Sequence, residues 1–213
     1  MNKSVCLKFV RVSLSYFCVA ASVFLLVQGS YFESAMCLLA GVSLFVLPYI
    51  FETFSLRASF LTELLGLWVI FGSLVLGEGL RLYEKIPIWD DQLHFLAGAL
   101  FCLCGCAFFK ASNTALGAFS FSVMLNAVWE VVEFALDRLF GTNMQKDRPI
   151  KAPVFGQASA GFGMDIGLYD TMTDLIVGSC GALVILFLWL GARDAFAHAA
   201  FPEVKRKEQK REA

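Results

Sequence analysis

Three short segments place ionisable side chains inside otherwise apolar sequence. Trp89–Gly98 (WDDQLHFLAG) carries Asp90, Asp91 and His94; Asn126–Asp137 (NAVWEVVEFALD) carries Glu130, Glu133 and Asp137; Tyr169–Gly178 (YDTMTDLIVG) carries Asp170 and Asp174. The first and third share a layout, because Asp90, His94 and Gly98 fall at i, i+4 and i+8, as do Asp170, Asp174 and Gly178. Asn126, Glu130, Glu133 and Asp137 follow i, i+4, i+7 and i+11. Read as helices, all three segments present a single polar stripe.

Carboxylates gathered in one place repel. They must hold protons, pair with a cation such as Arg81, Arg138 or Arg148, or bind a metal ion. Oxygen-rich clusters suit Mg²⁺, Ca²⁺ or Mn²⁺, and an added imidazole admits Zn²⁺ or Fe²⁺. The expected ligands of a divalent ion (Zn, Mg or Mn) are Asp90, His94, Glu130, Asp170 and Asp174. Glu133 is the candidate general base toward an ion-activated water, and Asp137, on the same stripe, is the second catalytic candidate. The plainer alternative is a salt-bridged polar core with no chemistry.

The elements that must position these residues are membrane helices. The chain has 213 residues, of which 58% are hydrophobic and 16% charged, and a mean hydropathy of +0.70. Those values fall outside the range of ordinary soluble domains. A helix needs about 20 apolar residues to cross a bilayer, and six runs qualify: Lys8–Gln28, Phe32–Phe51, Phe60–Leu80, Leu93–Phe109, Thr114–Leu136 and Thr171–Gly191. The fourth is short, and reaches full length if Asp90 and Asp91 extend it at the interface. The fold class is therefore all-α, a polytopic membrane bundle of about six transmembrane helices. It forms one domain over 1–202, with a long outer loop at about 138–169 and a basic cytosolic tail at 203–213.

Orientation follows from the basic residues. Lys3, Lys8 and Arg11 at one end, and Lys205, Arg206, Lys207, Lys210 and Arg211 at the other, put both termini inside. The loop holding Arg138, Lys146, Arg148 and Lys151 departs from that bias, since it would lie outside. With both termini inside, Glu78, Asp90, His94, Glu130, Glu133, Asp137, Asp170 and Asp174 all fall in the outer third of the membrane on four helices. A charge near the bilayer centre costs at least about 2.5 kcal/mol, so these groups must face protein, water or a cation. Gly98 and Gly178, one turn deeper on their stripes, would let two helices approach closely below the polar cluster.

Other features read as structural. The first run resembles a signal peptide, but no A-x-A pattern marks a cut, so a retained helix is favoured. The seven cysteines lie almost wholly in apolar runs and form no disulfide framework. Cys102, Cys104 and Cys106 alternate, which on a helix sends them to different sides, so they read as small packing residues rather than a metal triplet. Pro48 kinks or ends the second helix. Trp89 and Tyr169 read as interface anchors, and His198 as an interfacial side chain. The net charge of −1 gives no support for a nucleic-acid partner.

Four ordered motifs, Trp89–Gly98, WEVVEF (Trp129–Phe134), GTNMQ (Gly141–Gln145) and DTMTDL (Asp170–Leu175), resemble the YjdF-like family of bacterial multi-pass inner-membrane proteins and, more remotely, the VanZ-like membrane proteins. The likeness covers the second half of the chain. It implies a six-helix membrane architecture in the bacterial inner membrane and no particular activity. The VanZ-like pattern has Lys and Gln where this chain has Asp91 and Glu133; both departures add negative charge, so a glycopeptide-resistance role does not carry over.

Three functions compete. The first is a metal-dependent hydrolase or transferase acting on the head group of a membrane lipid or lipid-linked precursor, with Arg138 and Arg148 holding its phosphate. The second is a proton- or cation-coupled carrier, against which stand the apolar inner stretches FCLCGCAFF and ALGAFSFSV. The third is a non-catalytic accessory whose buried charges specify packing. The enzyme ranks first.

Overall fold

A computed structural model of the chain describes residues 3–53, 60–109, 114–145 and 166–191. Among them every element is helical: α1 (Lys3–Val27), α2 (Tyr31–Thr53), α3 (Phe60–Ile70), a wider π-helical stretch Phe71–Gly79, the short α4 (Leu82–Lys85), α5 (Trp89–Phe108), α6 (Thr114–Phe140) and α7 (Ile166–Gly191). Within lipid a helix satisfies its own backbone groups, which is why apolar runs of this length fold this way.

Five helical segments are long and apolar enough to span a membrane: α1, α2, α3 with its π stretch, α6 and α7. The bundle exposes large apolar side chains to its surroundings, among them Phe9, Leu116 and Phe187, as a lipid-facing surface requires. The fourth expected span lies in α5, which starts at Trp89. The aspartates do extend it, at the expense of its hydropathy. Pro48 does not end α2, which runs on to Thr53.

The chain packs in two groups. In the first, α1 and α2 form a hairpin closed at Gly29, whose φ of +81° suits glycine. Ser34 Oγ donates to the Ser22 carbonyl across it at 2.8 Å. Cys18, Cys37, Ala40 and Leu44 from this hairpin pack with Leu67, Leu74 and Val75 of the third span. Arg11 meets Glu63 at 3.6 Å.

In the second group α5 packs between α6 and α7. The closest approach is at Gly98 and Gly178: a Cβ added to Gly98 would lie 1.9 Å from the Gly178 carbonyl oxygen. One added to Gly181 would lie 2.0 Å from the Phe95 carbonyl oxygen. Backbone touches backbone, as the spacing of the two glycines anticipated. Cys102 and Cys106 are buried with Ala118, Ala182 and Trp189 at the far end of this group, and all seven thiols are free. Trp89 joins the groups, its Nε1 donating to the Gly72 carbonyl at 3.2 Å and its ring edge on Trp68. That residue is half-buried where the two groups meet.

Candidate metal centre

His94 sits at the middle of the second group. On α5 its own turn brings Asp90 alongside, with Oδ1 3.5 Å from His94 Nε2. The Gly98–Gly178 contact sets α7 in matching register, four residues apart on both helices, and brings Asp174 Oδ2 to 3.7 Å from the same nitrogen. From α6, Glu130 Oε1 lies 3.8 Å from the other nitrogen, Nδ1. The repeated layout of the first and third segments is thus a pairing in space.

These side chains are removed from solvent: Asp174 is 2% exposed, Glu130 4%, His94 6% and Glu133 6%. Both oxygens of Glu130 and Oε2 of Glu133 are buried with no hydrogen-bond partner among the described residues. Next to them the polar stripe of α6 is satisfied. Ser122 Oγ donates to the Gly98 carbonyl at 2.7 Å, and Asn126 Nδ2 to the Ser122 carbonyl at 2.9 Å.

One ligand atom each from Asp90, His94 and Asp174 lie within 4.8 Å of one another. Tetrahedral bonds of about 2.1 Å would set neighbouring ligand atoms roughly 3.4 Å apart, close to the 3.5 and 3.7 Å separations around Nε2, so the trio has the spacing to hold a divalent ion. Glu130 stands beside the other ring nitrogen, where a carboxylate can accept from Nδ1–H and fix the tautomer of a metal-binding histidine. Asp170, one turn before Asp174 on α7 and half-buried, lies outside this compact trio. Of the five expected ligands, three form the trio and two flank it.

The remaining candidates take other positions. Asp137 fastens a loop: its carboxylate accepts from the Thr142 hydroxyl and from the backbone amides of Met144 at 2.8 Å and Gln145 at 2.9 Å. Gln145 in turn donates to Thr171 Oγ1 on α7 at 2.8 Å. Arg138 is exposed, with its guanidinium 5.2 Å from the centre of the Phe134 ring. Arg148, Lys146, Lys151, His198 and the basic tail lie outside the described residues.

A cavity of about 330 Å³ opens beside the trio, with Asp90 and Glu133 on one wall and the Gly141–Met144 loop on another. Glu33, Arg81 and Tyr83 line it from the first group and the turn before α5. Arg81, in the left-handed region at φ 55°, donates to Glu33 Oε1 at 2.6 Å, and that hydrogen bond holds its pKa above the usual range. Tyr83 lays its ring against Gly77, where an added Cβ would lie 2.3 Å from Cε2. Burial, then the charges of Glu78, Glu133 and Asp174, push its phenol well above the ordinary value, so it stands as an O–H donor. Glu33 and Tyr83 escaped sequence reasoning. Neither lies on a polar stripe, and only the glycine at 77 hints that a ring needs room there.

Residues 10–195 match a family model described as a predicted membrane protein (DUF2238). The chain belongs to this family. Its description gives a membrane location and no activity, in agreement with the YjdF-like resemblance of the four motifs. No curated protein and no solved structure matches the chain.

Proposed function

We propose that the protein is a metal-dependent membrane enzyme of the bacterial inner membrane, acting at the outer face on the head group of a lipid or lipid-linked precursor. The observation that carries this reading is the buried Asp90, His94 and Asp174 trio, backed by Glu130 on the second ring nitrogen. The nitrogen ligand favours Zn²⁺ or Mn²⁺ over Mg²⁺. A bound ion would supply Lewis acidity and lower the pKa of a water molecule. Glu133, buried and in the lining of the cavity, is the group to exchange a proton with substrate. Arg138, exposed at the end of α6, is a candidate for a phosphate, and Arg148 is proposed with it on charge alone.

The carrier reading fares less well. Beyond the polar layer the helices close on backbone contacts at Gly98 and Gly178, and past these Cys102, Cys106, Ala118 and Ala182 are buried together.

The decisive measurement is elemental analysis of the purified full-length protein. Stoichiometric Zn or Mn that is lost in both His94→Ala and Asp174→Asn is expected, followed by chelator-sensitive change of lipid head groups seen by mass spectrometry. Protein without stoichiometric metal would remove the proposal.

A further inference from the structure

The loop motif GTNMQ, Gly141–Gln145, ties the end of α6 to α7 beside the metal centre. Gly141, in the left-handed region at φ +66°, closes α6 by donating its amide to the Asp137 carbonyl at 3.1 Å. The Asp137 carboxylate then gathers the loop through the Thr142 hydroxyl and the Met144 and Gln145 amides. That fold delivers Gln145 to α7, where its Nε2 donates to Thr171 Oγ1 at 2.8 Å.

Thr171 stands less than one turn before Asp174 on the same helix. A helical threonine ordinarily donates its hydroxyl to a carbonyl of the preceding turn, as Thr173 does to Tyr169 at 2.9 Å. Thr171 is used differently. Its oxygen accepts from Gln145, and its hydroxyl is turned to the Glu130 carboxylate. Glu130 therefore lies between two donors, the Thr171 hydroxyl and a proton on His94 Nδ1, which is 3.8 Å from Oε1. Neither contact is drawn to ordinary hydrogen-bond length. A charged carboxylate buried as deeply as Glu130 is costly to leave without donors, so each one that reaches it fixes its place.

We infer that Gln145 and Thr171 are positioning residues of the metal centre, which hold the Glu130 carboxylate on His94 Nδ1 and so keep the Nε2 lone pair turned to Asp90 and Asp174. The inference rests on the reading of the trio as a metal site and brings the loop motif into that site. Gln145 occupies the Thr171 oxygen, which directs the hydroxyl hydrogen to Glu130. Glu130 in turn keeps the imidazole proton on Nδ1, and Nε2 is then the nitrogen that can bind an ion.

The test reads the imidazole itself. The chain has two histidines, so the full-length protein labelled with ¹⁵N-histidine and held in detergent gives two sets of ring-nitrogen signals, which His198→Ala assigns. In the metal-free parent His94 is expected as the Nδ1-protonated tautomer. Thr171→Val, of nearly the same shape, and Gln145→Ala should both shift its nitrogen signals toward a mixture of tautomers. Thr171→Ser, which keeps the hydroxyl, should restore the parent spectrum, and Thr173→Val, whose hydroxyl serves its own helix, should leave it unchanged. With Zn²⁺ added against a competing chelator, Thr171→Val should bind at least about tenfold more weakly than the parent. Parent signals for His94 in both Thr171→Val and Gln145→Ala would overturn the inference, and so would an equal shift in Thr173→Val, which would make the effect a general loosening of α7. The metal reading is separable: a parent that binds no Zn²⁺ while Thr171→Val moves the His94 signals sinks only that reading, and a metal-binding parent whose variants leave His94 unmoved sinks only this inference.

Discussion

The two helical groups are built from similar sequence and have different interiors. Where α1, α2 and the third span meet, the buried apolar residues include Cys18, Cys37, Ala40, Leu44, Leu67, Leu74 and Val75, and the buried polar ones are the uncharged Ser22, Ser34 and Thr62. Where α5, α6 and α7 meet, the buried polar layer is His94, Ser122, Asn126, Glu130, Glu133 and Asp174. Packing alone does not need the second arrangement, because the first group achieves close helix contact without it. On the proposed reading the carboxylates have a task other than holding helices together, and the variants below test whether that division stands.

The largest effect is expected at the glycine contact of the second group. In Gly98→Ala the new Cβ would meet the Gly178 carbonyl, now 1.9 Å from that position, and backbone cannot step aside without parting α5 from α7. A loss above about 4 kcal/mol is expected, the range reserved for severe overpacking. The counterpart in the first group is Gly41→Ala, where the nearest atoms are Cys18 Cβ at 3.2 Å and Ser15 O at 3.3 Å. That variant should lose no more than about 1 kcal/mol. Thermal unfolding in micelles compares them; equal losses would mean that the glycine pair does not set the register bringing Asp174 to His94.

Next in size is the response to metal. With free ion at a hundredfold its dissociation constant, the parent protein should gain about 2.7 kcal/mol of stability, removed by chelator. Asp174→Asn should show no such gain, whereas Glu63→Gln, in the first group beside Arg11, should respond as the parent does. Glu130→Gln sharpens the assignment: a carboxylate orienting the imidazole from behind should change metal affinity about 10–100-fold without abolishing binding. Complete loss of metal in Glu130→Gln would make it a direct ligand instead.

How much of this was legible beforehand depends on the range of each interaction. The stripes on α5, α6 and α7 follow from i, i+4 spacing alone, and so does the depth of Gly98 and Gly178 below the acids. Asp137 shares the stripe of Glu130 and Glu133, yet its partners are backbone amides of the loop that follows, and backbone donors leave no mark in residue types. Glu33 and Arg81 are 48 residues apart. Their meeting depends on how α2 packs against the third span, which periodicity within one helix does not encode. The π-helical stretch Phe71–Gly79 was likewise invisible as such. Its glycines read as generic membrane sequence, although the wider turn presents the Gly72 carbonyl to Trp89 and Gly77 to Tyr83.

The smallest expected effect bears on the inert-core alternative. Ser122→Ala removes a buried hydrogen bond to the Gly98 carbonyl inside the polar group, and Ser34→Ala removes one to the Ser22 carbonyl and one to Ser22 Oγ in the apolar group. Side-chain hydrogen bonds between membrane helices average about 0.6 kcal/mol each. The Ser122→Ala loss should therefore stay below about 1 kcal/mol and be no larger than that of Ser34→Ala in equilibrium unfolding. That outcome would show that hydrogen bonds in the polar layer support helix packing no more than those elsewhere, leaving ligand binding as the reason for its acids. A Ser122→Ala loss several times that of Ser34→Ala would instead make the polar layer a cooperative structural network, and the carboxylates around His94 would then be explained by packing.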